Sequence, residues 1–156
     1  MVALLTDLCE ELAAAWPDRT IDLQTSSDLN VLGDAMELRS AVSNLLVNAL
    51  KYSEAPVTLR WTDTVVGPAL LVEDQGLGIE AKHIPRLTER FYRVDKSRSQ
   101  ATGGTGLGLA IVKHVAVSHD AKLFVDSQVG RGSTFRLVFP ADRAVCATDS
   151  ADAVSN

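Results

Sequence analysis

The segment "MELRSAVSNLLVNALKYS", residues 36–53, restricts the fold more than any other stretch of the chain. Leu38, Ala41, Val42, Leu45, Leu46, Ala49 and Leu50 recur at helical spacing and make one wide apolar stripe. Such a stripe has to be buried against a second layer. Asp34 is a suitable N-cap for this helix, and Glu37 stands where it completes a capping box. The other layer is strand-rich. "VTLRW" and "ALLVED" flank a turn at Gly67-Pro68, and "KLFVDS" and "STFRLVF" flank "QVGRG". "TIDLQT" and "LNVLGD" are shorter strand-like runs. Leu4, Leu5, Leu8, Leu12 and Ala15 predict an N-terminal helix that Pro17-Asp18 ends. A further helix is expected from about Leu107 to Ser118. Helices and hairpins interleave without regular βαβ repetition. That order predicts an α+β protein, a two-layer α/β sandwich whose mixed sheet carries its helices on one face. Residues 141–156 are small and polar, and a disordered tail is expected there.

Length and charge narrow the function. A chain of 156 residues is the size of one domain and can bury a core without metal or disulfides. The net charge of -5 argues against a general nucleic-acid binder but leaves room for a local basic pocket. Cys9 and Cys146 belong to no CxxC pair and read as two reduced thiols. No run approaches the ~20 apolar residues of a membrane span. The N-terminus is interrupted by Asp7, Glu10 and Glu11 and lacks the basic start of a signal peptide. A cytoplasmic chain without membrane contact is therefore expected.

Four groups of residues carry chemistry. Asn44, Asn48, Lys51 and Tyr52 share one face of the long helix, beside its apolar stripe. Mid-helix asparagines weaken a helix because their amides compete for backbone hydrogen bonds. Their oxygens suit Mg²⁺, although two structural asparagines would look the same. In "VEDQGLGIE" a strand ends at Asp74 and runs into Gly76 and Gly78. This is either a tight turn or a carboxylate placed to accept from an amine on a planar ring. In "GGTGLGLAIVKHV", Gly104, Gly106 and Gly108 leave backbone N–H groups unshielded where a helix begins, which is a place for phosphate. The stretch matches neither a Walker A loop nor a dinucleotide fingerprint, and protein-kinase motifs are absent. Finally, "RFYRVDKSRSQATGG" reads as an aromatic anchor, Phe91 and Tyr92, followed by a basic segment able to close over polyphosphate, or as a solvated charged loop.

The order of these groups along the chain resembles the N, G1, F and G2 boxes of sensor histidine kinases, in "NLLVNALKYS", "DQGLG", "RFYRVD" and "GTGLGLAI". In detail "PRLTERFYRVDKSRS" and "TGGTGLGLAIVKHV" look most like the phosphate-regulon sensor kinases. The resemblance implies the Bergerat-type sandwich shared with gyrase, Hsp90 and MutL. It implies an ATP-binding catalytic domain over residues 1–140, with an N-terminal helix in 1–18 and an ATP lid over 93–104. By the same resemblance Asn48 would hold Mg²⁺, and Asn44 would support the phosphate or metal region. Lys51 would reach the phosphates, and Tyr52 would pack on adenine. Asp74 would accept the adenine amino group and so select ATP over GTP. Gly76 and Gly78 would let the loop pass close to the base, and Thr134 would help fix it. Arg93 would neutralise the γ-phosphate. Gly104, Thr105, Gly106, Leu107 and Gly108 would offer backbone to the phosphates. Asn44, Lys51 and Arg93 would be the catalytic residues.

The fold also hosts ATPases, so the reaction has to be argued from the site. In the related hydrolases a glutamate base stands one helical turn before the metal-binding asparagine; Asn44 occupies that place and cannot take a proton. A histidine acceptor needs no such base, because imidazole with a pKa of ~6.5 already offers a lone pair near neutral pH. Transfer then depends on positioning and charge neutralisation. A kinase module is therefore preferred to an ATPase. His83, His114 and His119 lie in no Ser-His-Glu-x-Arg context, and each is expected to be structural or on the surface. The expected partners are ATP, a histidine-bearing dimerisation domain on another chain or segment, and indirectly a response regulator. The chain itself is expected to be a monomer. The alternative is a nucleotide-binding or interaction module without transfer activity.

Overall fold

A computed structural model describes residues 1–95 and 104–147. The elements are α1 (Val2–Ala15), β1 (Ile21–Thr25), β2 (Leu29–Val31), α2 (Ala35–Tyr52), β3 (Val57–Asp63), β4 (Pro68–Asp74), α3 (Gly108–Ser118), β5 (Lys122–Gln128), β6 (Gly132–Val138) and β7 (Ala144–Cys146), with 3₁₀ turns at Ala81–Arg86 and Ala141–Arg143. Five strands form one sheet in the order β1-β3-β4-β6-β5. β1 runs parallel to β3, and the other neighbours are antiparallel. The mixed sheet with helices on one face is the predicted architecture.

The period of two in the strands decides which residues meet the helices. Val57, Leu59 and Trp61 of β3, Leu70 and Val72 of β4, and Phe135 and Leu137 of β6 turn inward. They share one core with Leu5, Leu8 and Leu12 of α1, the whole stripe of α2, and Val112, Val115 and Ala116 of α3. Trp61 is fully buried; its indole N–H donates to the Leu29 carbonyl at 3.0 Å and its ring meets Phe139 edge-on. The same parity carries Asp74, the last residue of β4, onto the inner face, where it is 9% exposed.

The chain stays ordered past Pro140 as far as Ala147, inside the stretch from 141 where a tail is expected. Ala141–Arg143 makes a 3₁₀ turn, and β7 pairs antiparallel with β2, Val145 opposite Asn30. Strand pairing satisfies backbone groups there whatever the local composition, and Arg143 is held to Asp120 at 2.6 Å. Residues 148–156 lie outside the described residues, as do 96–103 of the expected lid. Both cysteines are free thiols, Cys146 exposed and Cys9 half-buried, with burial pushing the Cys9 thiol up. Among the described residues no helix is long and apolar enough to cross a membrane.

Candidate functional site

A cleft of about 400 Å³ opens between α2, the end of β4 and the start of α3. It brings together residues from all four groups singled out in the sequence. Asn44, Asn48, Lys51 and Tyr52 line it from α2; Asp74, Gly78 and Ile79 line it from the end of β4 and the loop that follows; Tyr92, Arg93, Gly104, Thr105, Gly106 and Gly108 line it from the two lid stems and the start of α3.

The α2 wall follows from helix geometry, since residues three and four apart share a face. The Asn44 amide N–H donates to the Ser40 carbonyl at 2.8 Å, which orients the side chain. Its oxygen faces the first turn of α3, where a Cβ added at Gly108 would sit 2.9 Å from it. Asn44 therefore fills the joint between the two helices. Asn48, one turn on, has no hydrogen bond from its side chain among the described residues and faces the cleft. Lys51 lies in the last turn of α2, where a cation also suits the helix dipole. Tyr52 is 41% exposed and also lines the cleft.

At the end of β4, burial pushes the Asp74 carboxyl above its ordinary range, and hydrogen bonds from the Gly76 and Ser133 backbone N–H groups pull it partly back. Gly76 donates to Asp74 Oδ1 at 2.9 Å. A buried carboxylate with oxygen lone pairs left over is an acceptor waiting for a donor. The two stems of the expected lid are fastened together. The Phe91 N–H donates to the Gly106 carbonyl at 2.9 Å, and the Arg93 guanidinium donates to the Gly104 carbonyl. Tyr92 serves as the aromatic anchor: its hydroxyl bonds His83 Nδ1, and Arg86 lies over its ring at 4.4 Å. Phe91 does not anchor; its backbone is left-handed at φ 66° and its ring is 71% exposed.

A family model described as histidine kinase-, DNA gyrase B-, and HSP90-like ATPase matches residues 33–143, more than half of the chain. The chain belongs to this ATPase family. Its curated relatives include the phosphate regulon sensor protein PhoR of Pseudomonas aeruginosa, 48% identical over 141 residues that cover 88% of this chain and 32% of PhoR. The sensor-like histidine kinase SenX3 of Mycobacterium tuberculosis is 44% identical over 133 residues, covering 84% of this chain and 32% of SenX3. This chain thus spans about a third of the length of the curated relatives it matches. Among solved structures, the mycobacterial sensor histidine kinase MprB superposes with a TM-score of 0.78 at 31% identity, over 90% of this chain and 93% of that one. Full-length ShkA in complex with AMPPNP gives 0.73 at 28% identity, over 89% of this chain and 30% of that one. The domain is the histidine kinase form of the ATPase fold.

Within this ATPase-family domain, three residues named from the sequence stand elsewhere than expected. Thr134 does not line the cleft. It pairs with Glu73 on the outer face of the sheet, and Ser133, opposite Asp74, takes its place inside. Gly76 is also outside the lining; a Cβ there would meet the Tyr52 carbonyl oxygen at 2.1 Å, so this glycine lets the loop pass close to the end of α2. Gly78 does line the cleft, at φ +70°, with a Cβ that would meet the Gln128 carbonyl oxygen at 2.1 Å. Leu107 is the N-cap of α3 and lies behind the lining. Sequence reasoning missed Ser133, although strand parity carried the signal: it shares the phase of Phe135 and Leu137.

Proposed function

We propose that the cleft binds ATP with Mg²⁺ and serves transfer of the γ-phosphoryl group to a histidine on a dimerisation domain. The observation that carries this reading is the polarity of one cavity. A buried, acceptor-bearing carboxylate stands beside the C-terminal end of α2, where Gly76 abuts Tyr52, and the glycine-bearing start of α3 stands against Asn44 further back along that helix, with Asn48, Lys51 and Arg93 also lining the cleft. The donor set fits the cofactor. Among the described residues no three of His, Cys, Asp and Glu cluster to hold a metal alone. A single asparagine oxygen is the kind of ligand Mg²⁺ takes together with water and phosphate oxygens. Bound nucleotide supplies the transferable phosphoryl group, and the metal offsets its charge.

The chain's own residues divide the remaining work. Asp74 accepts the N–H of an exocyclic amine, which rejects a purine carrying a carbonyl there. Tyr52 covers one ring face. Asn48 presents its amide oxygen to the metal. Lys51 and Arg93 neutralise phosphate charge from opposite walls, and the backbone from Gly104 to Gly108 donates N–H groups to phosphate oxygens. Asn44 holds the two helices at their joint and supplies no base, which favours transfer to imidazole over hydrolysis. Full-length ShkA, a structural relative of which this chain covers 30%, is described in complex with AMPPNP, which supports a nucleotide as the ligand.

The test is phosphotransfer in trans. The chain is mixed with labelled ATP, Mg²⁺ and a separately produced dimerisation domain of a phosphate-regulon sensor kinase. Acid-labile label on that domain's histidine is expected, and Asn48→Ala should abolish it. Binding of ATP without transfer to any such domain would instead support the interaction-module alternative.

A further inference from the structure

Across β4, β6 and β5 the inner face of the sheet is apolar in two of three rows. Leu70, Leu137 and Leu123 form one row, and Val72, Phe135 and Val125 form the next. The row at the cleft is Asp74, Ser133 and Ser127. Ser127 does not line the cleft, yet its hydroxyl makes three contacts. It accepts from the Ile79 N–H at 2.8 Å, donates to the Gly132 carbonyl at 3.0 Å, and meets the Ser133 hydroxyl at 2.8 Å.

A hydroxyl has one hydrogen and two lone pairs. The Ser127 hydrogen goes to Gly132, because a carbonyl only accepts. Its lone pairs then take the Ile79 N–H and the Ser133 hydroxyl hydrogen. This is the one assignment that satisfies all three contacts. It commits the Ser133 hydrogen away from the cleft and leaves Ser133 with only lone pairs to offer beside the Asp74 carboxylate. The Asp74 carboxylate and the Ser133 hydroxyl thus present acceptors alone. An amino group in direct contact satisfies them; a ring carbonyl in the same place faces lone pair against lone pair.

We propose that Ser127 is a positioning residue that sets the hydrogen-bond polarity of the base end and so discriminates 6-amino from 6-oxo purine nucleotides. The same hydroxyl ties the loop after Asp74 to the β5–β6 hairpin, which a second bond, from the Gly130 N–H to the Leu77 carbonyl at 2.8 Å, also joins. The inference rests on the nucleotide reading above.

The experiment measures ATP and ITP affinity by calorimetry with Mg²⁺ on the full chain, for the parent, Ser127→Ala and Ser127→Thr, with thermal unfolding alongside. Loss of one buried hydrogen bond predicts ATP binding weaker by about 3- to 10-fold in S127A. ITP should be weakened less, since Ser133 is then free to rotate and donate to the 6-oxo group, so the ATP-to-ITP preference falls. S127T, which keeps the hydroxyl, should restore both values. Equal weakening of ATP and ITP, an unchanged ATP affinity, or a parent that binds the two alike overturns the proposal. If S127A does not fold, S127C, similar in volume but poor in hydrogen bonding, carries the same comparison with the same outcomes. A parent chain that binds neither nucleotide defeats the nucleotide reading itself and is distinguished by that result.

Discussion

Asp74 carries two opposed demands. In the proposed function its carboxylate accepts from the nucleotide, yet the core around it penalises the charge and raises its pKa from the ordinary 3.8. By linkage, a carboxyl raised in the folded state stabilises fully below its unfolded pKa and loses that contribution as pH rises through its folded pKa. Asp74→Asn removes the charge. The variant's Tm relative to the parent, both without nucleotide, should therefore rise as pH is taken from below 3.8 towards neutral, measured by calorimetric scans across that range. The same substitution should weaken ATP binding by about 1–3 kcal/mol, through a lost or mismatched buried hydrogen bond. A variant with parental ATP affinity would remove Asp74 from base recognition. Ser133 shows how far the sequence could be read at this scale. Phe135, Leu137 and Phe139 alternate, so their phase was visible in "STFRLVF" and placed Ser133, not Thr134, inside. What could not be read was its neighbour, because the pairing of Asp74 with Ser133 joins residues far apart in the chain.

At the scale of elements, the N-terminus of α2 shows a local expectation overtaken by packing. Asp34 caps as predicted, its carboxylate accepting from the Met36 and Glu37 N–H groups, each at 2.9 Å. The reciprocal half of the capping box does not form. The Asp34 N–H donates to His119 Nε2 at 3.1 Å, and Glu37 turns to accept from the Ser118 hydroxyl at 2.9 Å. His119, 2% exposed, has its other ring nitrogen 2.8 Å from the Val115 carbonyl, so the hydrogen sits on Nδ1. The end of α3 thus closes the start of α2, and the helices that carry the cleft's two walls are locked in register. Gly33 makes room for this contact, since a Cβ there would lie 2.2 Å from His119 Cδ2. Gly33→Ala is accordingly expected to lose about 1–3 kcal/mol of stability in urea unfolding, as overpacked sites do. A change under about 0.5 kcal/mol, the usual range for a surface site, would contradict the steric reading.

For the whole molecule, the cleft exists only once distant segments meet: α2, the loop after β4, the two lid stems and β6 each supply part of it. A ligand that binds this assembled state and not the unfolded chain stabilises all of it. At a hundredfold excess over Kd, Mg²⁺ and ATP should add about 2.7 kcal/mol, a rise in Tm of roughly 5–10 °C for a domain of this size. Chelating the Mg²⁺ should reverse much of that rise in the parent and little in Asn48→Ala; a metal-independent shift would reject the role of Asn48. The chain alone determined the main helices and hairpins, the two-layer order, the face of α2 that bears Asn44, Asn48 and Lys51, and the glycine-rich start of α3, because apolar period and caps are local properties. Tertiary structure decided that Ser133 stands opposite Asp74, that β7 leaves the expected tail to pair with β2, and that His119 replaces Glu37 at the α2 cap. Each of those outcomes is a hydrogen bond or strand pairing between segments far apart in sequence, and only packing can select such a partner.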